Sequence, residues 1–177
     1  MTDPDRQSPE TVAATALGLA DQATGGVVPA IHVATTFERD RSYALPGGHN
    51  YIRPDNARQP EIVLNALEGG DEALTFGSGM AAATAVFQAL APGDHVVVPR
   101  VMYWALRAWL TDDARRWGLE VDVVDMADAA ALAAAIRPGS TKLVWVETPA
   151  NPTWDVTDIA AAAEAAHRAG ARLAVDN

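Results

Sequence analysis

From residue 59 onward the chain alternates short, almost continuously apolar runs with longer amphipathic ones. The short runs, over 72–76, 95–99, 119–124, 142–147 and 172–176, have the length of strands and little polar alternation, so they predict strands buried on both faces. Between them, 79–90, 103–117, 127–136 and 157–169 carry helical spacing. Another helix is expected from Pro60, a suitable first-turn residue, through Ile62, Val63, Leu64 and Leu67 to a stop at Gly69 and Gly70. Strand–helix repetition of this kind predicts an α/β fold: a mainly parallel sheet with helices on both faces. Right-handed crossovers then put every strand's carboxyl end on one edge, where ligands bind.

The first 58 residues follow another pattern. Residues 2–9 offer charge and two prolines but nothing to bury, and a short helix is expected from Glu10 to about Ala20. Over 25–56, Gly25, Gly26, Pro29, Pro46, Gly47, Gly48 and Pro54 interrupt any regular element, while Val27, Val28, Ile31, Val33 and Phe37 supply scattered apolar anchors. The organisation expected is therefore an arm over 1–58, a short helix plus an extended segment, followed by one domain over 59–177. Long ordered segments of this type are functional or lie across a partner subunit.

Charge and composition narrow the chemistry. A formal net charge of -10 over 177 residues argues against a nucleic-acid or anionic-membrane partner, so any phosphate bound must be held by local geometry. The absence of cysteine excludes a disulfide framework, a thiolate metal site and a cysteine nucleophile from this chain. The polar, acidic first ten residues are not a signal peptide, and no apolar stretch approaches the roughly 20 residues that span a bilayer. A cytoplasmic globular protein is expected. His32, His49, His95 and His167 show no metal-ligand spacing, and no metal site is expected.

The candidate chemistry lies just beyond the strands. Gly77-Ser78-Gly79 opens a helix whose first N–H groups lack helical acceptors, and its small residues let an anion approach them; a tight turn without ligand is the alternative. The same run with Met80, Ala81 and Ala82 also has the G-x-G-x-x-A form of a dinucleotide site, although the next strand ends in Pro99-Arg100 rather than an acidic residue. Asp176 closes the apolar strand at the ligand edge, where a protonated pyridine nitrogen would suit its carboxylate; a helix cap or a solvated strand end is the alternative. Tyr103 could present an aromatic face to a flat ligand or belong to the core. Asn151, in a loop stiffened by Pro149 and Pro152, can donate and accept hydrogen bonds at the same edge. In the arm, Arg53 with Tyr51 beside it could bind a phosphate or form a surface pair.

Taken together, these stretches resemble the pyridoxal-phosphate enzymes of cysteine and methionine metabolism, such as cystathionine gamma-synthase, cystathionine gamma-lyase and methionine gamma-lyase. The matching runs are Gly26-Val27-Val28-Pro29 with Thr35-Thr36-Phe37, Tyr51-x-Arg53, Leu67-Glu68-Gly69-Gly70, Ser78-Gly79-Met80, Glu147-Thr148-Pro149-x-Asn151-Pro152 and Val175-Asp176-Asn177, in family order. The resemblance implies the large domain of a fold-type I enzyme with pyridoxal 5'-phosphate as cofactor. It implies cofactor phosphate at Ser78, Gly79 and Met80, and Tyr51 and Arg53 reaching that phosphate from a neighbouring subunit. Tyr103 is implied to stack on the ring, Asn151 to lie by its hydroxyl, and Asp176 to pair with its nitrogen. It further implies a small amino-acid substrate, gamma-replacement or elimination chemistry, and a homo-oligomer built as a dimer of dimers.

Two stretches depart from the family pattern. Trp104-Ala105-Leu106 stands where a glycine-containing turn usually follows the tyrosine, and Pro54-Asp55-Asn56-Ala57 where an asparagine-proline pair is usual. The chemistry needs a lysine amine, and the one lysine here, Lys142, opens a strand at the end away from the ligand edge. The family's lysine follows the aspartate–asparagine pair, so an N-terminal part of such an enzyme is expected, inactive by itself. The alternatives are an NADP-binding oxidoreductase domain and a non-catalytic module that retains the fold.

Overall fold

Four parallel strands, β1 (His95–Pro99), β2 (Glu120–Val124), β3 (Thr141–Glu147) and β4 (Arg172–Asp176), form one sheet in the order β2-β1-β3-β4 in the computed structural model. The structure describes residues 7–48, 50 and 52–177, with the side chains of 52–56 excepted. The chain divides into two compact units, Met1–Phe76 and Gly77–Asn177.

The sheet belongs to the second unit, and its strands form where the apolar runs predict. Valine-rich strands place one apolar set on each face, because successive side chains point to opposite sides. Val96, Val98, Leu143 and Trp145 face one core with Phe87, Leu106 and Leu110. Val97, Val144 and Val146 face the other with Leu132, Ala162 and Ala166. The first core is therefore covered by α3 (Gly79–Gln88) and α4 (Trp104–Trp109), the second by α6 (Ala129–Ala135) and α7 (Ile159–Arg168). Phe87, fully buried, has its ring 5.3 Å from Trp145 and 6.2 Å from Trp109.

The helix expected over 103–117 is broken by a π-type turn, Leu110–Ala114, which leads into the short α5 (Arg115–Trp117). Leu110 and Ala114 are both fully buried, so the widened turn keeps the apolar stripe on the core while the chain swings towards β2. The connection from β1 leads to β2 on one side of it, and the next leads back over β1 to β3 on its other side. The carboxyl ends of β1 and β3 therefore flank the point where strand order reverses, the usual crevice for a ligand in such sheets.

At the opposite edge a polar network closes the sheet. His95 is fully buried; its Nδ1 lies 2.7 Å from the Thr141 hydroxyl and its Nε2 3.1 Å from an Asp122 carboxylate oxygen. The Thr141 oxygen also accepts the Arg137 N–H at 2.8 Å, and the Arg137 guanidinium bridges Glu120 and Asp122 at 2.7 and 2.8 Å.

In the first unit, α1 (Pro9–Thr15) starts at a Ser8 cap and stops earlier than expected, with Ala16 in a left-handed conformation before a 3-10 turn, Ala16–Gly18. The helix expected from Pro60 is instead α2 (Ile52–Glu68), with Pro60 inside it. Pro54 falls in its first turn, where a missing N–H costs nothing, so the arm becomes helical earlier than its prolines suggest. The strand expected over 72–76 is not one. That segment has no regular structure and no strand partner among the described residues, with Leu74 72% and Phe76 46% exposed and Thr75 held by Glu61 through its N–H and hydroxyl. Among the described residues no helix is long and apolar enough to cross a membrane, and no cluster of His, Asp and Glu could hold a metal ion.

Candidate functional site

Helix α3 begins abruptly because Ser78 is an extended N-cap whose hydroxyl accepts the Ala81 N–H at 3.1 Å. The Ala82 N–H reaches the Ser78 carbonyl at 3.1 Å, which leaves the N–H groups of Gly79 and Met80 without helical acceptors. A Cβ built on Gly77 or Gly79 would meet no atom within 4 Å, so the space over these amides is open. The helix start thus carries exposed donors and positive dipole character beside a cavity.

That cavity is a cleft of about 420 Å³ lined by Ser78, Gly79, Met80, Ala83, Tyr103, Leu106 and Asp176. Its size falls in the roughly 300–1,000 Å³ range of small-molecule and cofactor sites. Tyr103, half exposed, caps α4 at the rim, and its ring centroid is 6.1 Å from that of Trp104, which is 73% exposed. Asp176 ends β4 exposed, and its carboxylate has no hydrogen bond or ion pair among the described residues. An unpaired carboxylate opposite a set of unpaired amides suits a ligand that is anionic at one end and cationic at the other.

The cleft thus brings together Ser78, Gly79, Met80, Tyr103 and Asp176 of the expected set. Asn151 is exposed in a turn and does not line the cleft. Its loop contains two cis peptide bonds, Thr148–Pro149 and Asn151–Pro152, and is held by Ala150 N–H to Asp155 O at 2.9 Å and Thr157 N–H to Thr148 Oγ1 at 3.0 Å. Tyr51 lies outside the described residues, as does the side chain of Arg53. Lys142 sits at the amino end of β3, its ammonium on the Gly139 carbonyl at 2.8 Å. Glu147 lies five residue steps further along the strand, roughly 17 Å at the usual rise, so Lys142 does not serve the cleft.

One carboxylate, quoted in a matching run of the sequence, was given no role of its own there. Glu147 ends β3 in register with Asp176, and its Oε2 accepts the Tyr103 N–H at 2.8 Å. Burial, with the Asp176 charge beside it, pushes the Glu147 carboxyl above its ordinary range, while the Tyr103 N–H pulls the other way. Like Asp176 it is a carboxylate closing an apolar strand at the ligand edge, a signal readable in the sequence.

Fold and cleft together define a parallel α/β domain with one cleft lined by an open helix start and an unpaired carboxylate. A family model for Cys/Met metabolism PLP-dependent enzymes matches residues 10–177, and the chain belongs to that family. The chain is 41% identical over 160 residues to a cystathionine gamma-synthase of Mycobacterium tuberculosis, covering 89% of this chain and 41% of that protein. It is 37% identical over 171 residues to an L-methionine gamma-lyase of Porphyromonas gingivalis, covering 90% of this chain and 43% of that one. Among solved structures, metB from Corynebacterium glutamicum superposes with a TM-score of 0.88 at 36% identity, over 99% of this chain and 46% of that one. The cystathione gamma lyase CalE6 from Micromonospora echinospora gives 0.83 at 36% identity, over 97% and 45%. The chain spans about two fifths of the length of the curated relatives it matches.

Proposed function

We propose that the cleft holds pyridoxal 5'-phosphate and that the protein carrying this chain is a transsulfuration enzyme. Its reaction is gamma-replacement or elimination on a sulfur amino acid or an activated homoserine. Family membership supports the cofactor, and the convergence of the free Gly79 and Met80 amides, the Tyr103 ring and the unpaired Asp176 carboxylate carries the assignment.

The residues fit the cofactor by chemistry. Gly79 and Met80 donate to its phosphate, Tyr103 offers an aromatic face to its ring, and Asp176 meets the ring nitrogen as its counter-ion. When bound, the cofactor supplies an electron sink for the negative charge left at the substrate's alpha carbon. Asp176 keeps a proton on the ring nitrogen, because a carboxylate stabilises the cationic form beside it. Asn151 is retained as a candidate partner of the ring hydroxyl, and Tyr51 and Arg53 as a phosphate clamp given to a neighbouring copy. The covalent amine is not Lys142 and must come from elsewhere in the protein.

The dinucleotide reading loses its footing. The segment before Gly77 is not a strand of the sheet, and Arg100, the residue a second phosphate would need, is paired with Asp125 at 2.6 Å. Titration separates the two: the protein is expected to bind pyridoxal 5'-phosphate saturably and NADPH not at all, and the reverse pattern overturns the proposal. Assays of the complete gene product with O-succinylhomoserine, O-acetylhomoserine, cystathionine and methionine then identify the reaction.

A further inference from the structure

Tyr103 precedes the first turn of α4, so its N–H points away from the helix with no helical acceptor. Glu147 supplies one from β3, across the point where strand order reverses. The turn between β1 and α4 is pinned at two further places: the Arg100 N–H donates to Val124 O at 2.7 Å, and Arg107 Nη1 donates to Arg100 O at 2.8 Å. Both of those hold the Arg100 end. At Tyr103 itself the carbonyl accepts the Arg107 N–H of α4 at 3.1 Å, and the Glu147 bond ties the residue to the sheet, to the strand whose neighbour carries Asp176.

We infer that Glu147 is a positioning residue: its carboxylate, by accepting the Tyr103 N–H, fixes the β1–α4 turn and so sets the Tyr103 ring against a planar ligand held between Gly79 and Asp176. The inference rests on the proposed cofactor site and adds a residue to it. What the carboxylate supplies to this amide is an acceptor oxygen rather than a charge. Its partial burial and the Asp176 charge both oppose ionisation, whereas a glutamine could offer the same amide an oxygen without that cost. The other charged groups around it leave the opposition in place. Arg100, Asp125 and Asp155 line a recess of about 30 Å³ with Glu147, but Arg100 is already engaged by Asp125.

The test uses the full-length protein at neutral pH, titrated with pyridoxal 5'-phosphate. The readouts are the dissociation constant and the circular dichroism induced in the bound cofactor's visible band. Glu147→Ala is expected to weaken binding about tenfold and to reduce the induced band, because a hydrogen bond to a charged group is lost and the ring is freed. Glu147→Gln, which keeps an acceptor oxygen, is expected to stay within about threefold of wild type with the band restored. If Glu147→Ala does not fold, Glu147→Asp, which keeps the charge but shortens the reach, carries the comparison and should lose both affinity and band. A Glu147→Ala or Glu147→Asp protein with wild-type affinity and dichroism overturns the inference, as does a Glu147→Gln protein impaired as badly as Glu147→Ala. Failure of the wild type to bind the cofactor would instead sink the cofactor site itself.

Discussion

Two carboxylates end neighbouring strands in register, and they behave differently. Asp176 is exposed and unpaired at the cleft, whereas Glu147 is partly buried and bonded to a backbone amide. Replacing Asp176 by alanine should cost about tenfold in affinity for pyridoxal 5'-phosphate, the scale of one charge-assisted hydrogen bond, and should lower kcat more than it raises KM. Equilibrium dialysis and steady-state kinetics check this. For Glu147 the sign is opposite to that of a salt-bridged carboxylate. Its folded-state pKa is raised above the ordinary 4.5, so the folded protein holds this proton more tightly than the unfolded chain does. Stability from this group is thus present below about 4.5 and is lost as pH rises through the raised value. Urea denaturation of wild type and Glu147→Gln should therefore show the difference moving against wild type from acid to neutral pH. Asp176 was legible because an isolated carboxylate at the end of an apolar strand invites a partner. Glu147 carries the same signal, but its partner is a backbone amide 44 residues earlier, and only the pairing of β1 with β3 brings them together.

Elements were legible where the whole residue run agrees with one environment. β1 and β4 form over the predicted residues, because no polar interruption leaves their ends ambiguous. The run over 72–76 has similar apolar content but pairs with no neighbour among the described residues, and a strand exists only through its partner. The start of α2 was misplaced for a converse reason: prolines mark a boundary only where they remove a needed bond, and Pro54 removes none. The start of α3 depends on one hydroxyl. Ser78→Ala should cost about 1 kcal/mol of unfolding free energy, the usual value of an N-cap, and should also weaken cofactor binding because the Gly79 and Met80 amides lose their fixed direction. At the far edge, Thr141→Val leaves the part-buried Arg137 N–H and the buried His95 Nδ1 without their shared partner. About 1–3 kcal/mol should be lost in denaturant unfolding, with the cofactor's dissociation constant unchanged because the network is at the opposite end of the strands.

At the scale of the whole molecule, the arm is the part whose sequence makes least sense within a single chain. Val27, Val28, Ile31 and Val33 are 68–90% exposed, although they are the apolar anchors of an otherwise irregular segment. A folded chain in water gains nothing from a run of bare aliphatic side chains unless another surface covers them. On the proposed site, a second copy would supply that surface, and Tyr51 and Arg53, further along the same arm, would reach its phosphate. Covering each aliphatic side chain contributes about 1.5–3 kcal/mol, so losing two or three of them is enough to dissociate an ordinary dimer contact. The complete protein should therefore sediment as a homo-oligomer, and Val28→Asp with Ile31→Asp should shift it to smaller species in analytical ultracentrifugation. The same pair of changes should weaken pyridoxal 5'-phosphate binding although neither residue lines the cleft, because the neighbour's arginine and tyrosine leave with the arm. An oligomer of unchanged size in the double variant would remove the arm from the interface. Smaller species that bind the cofactor as tightly as wild type would separate the arm from the phosphate site.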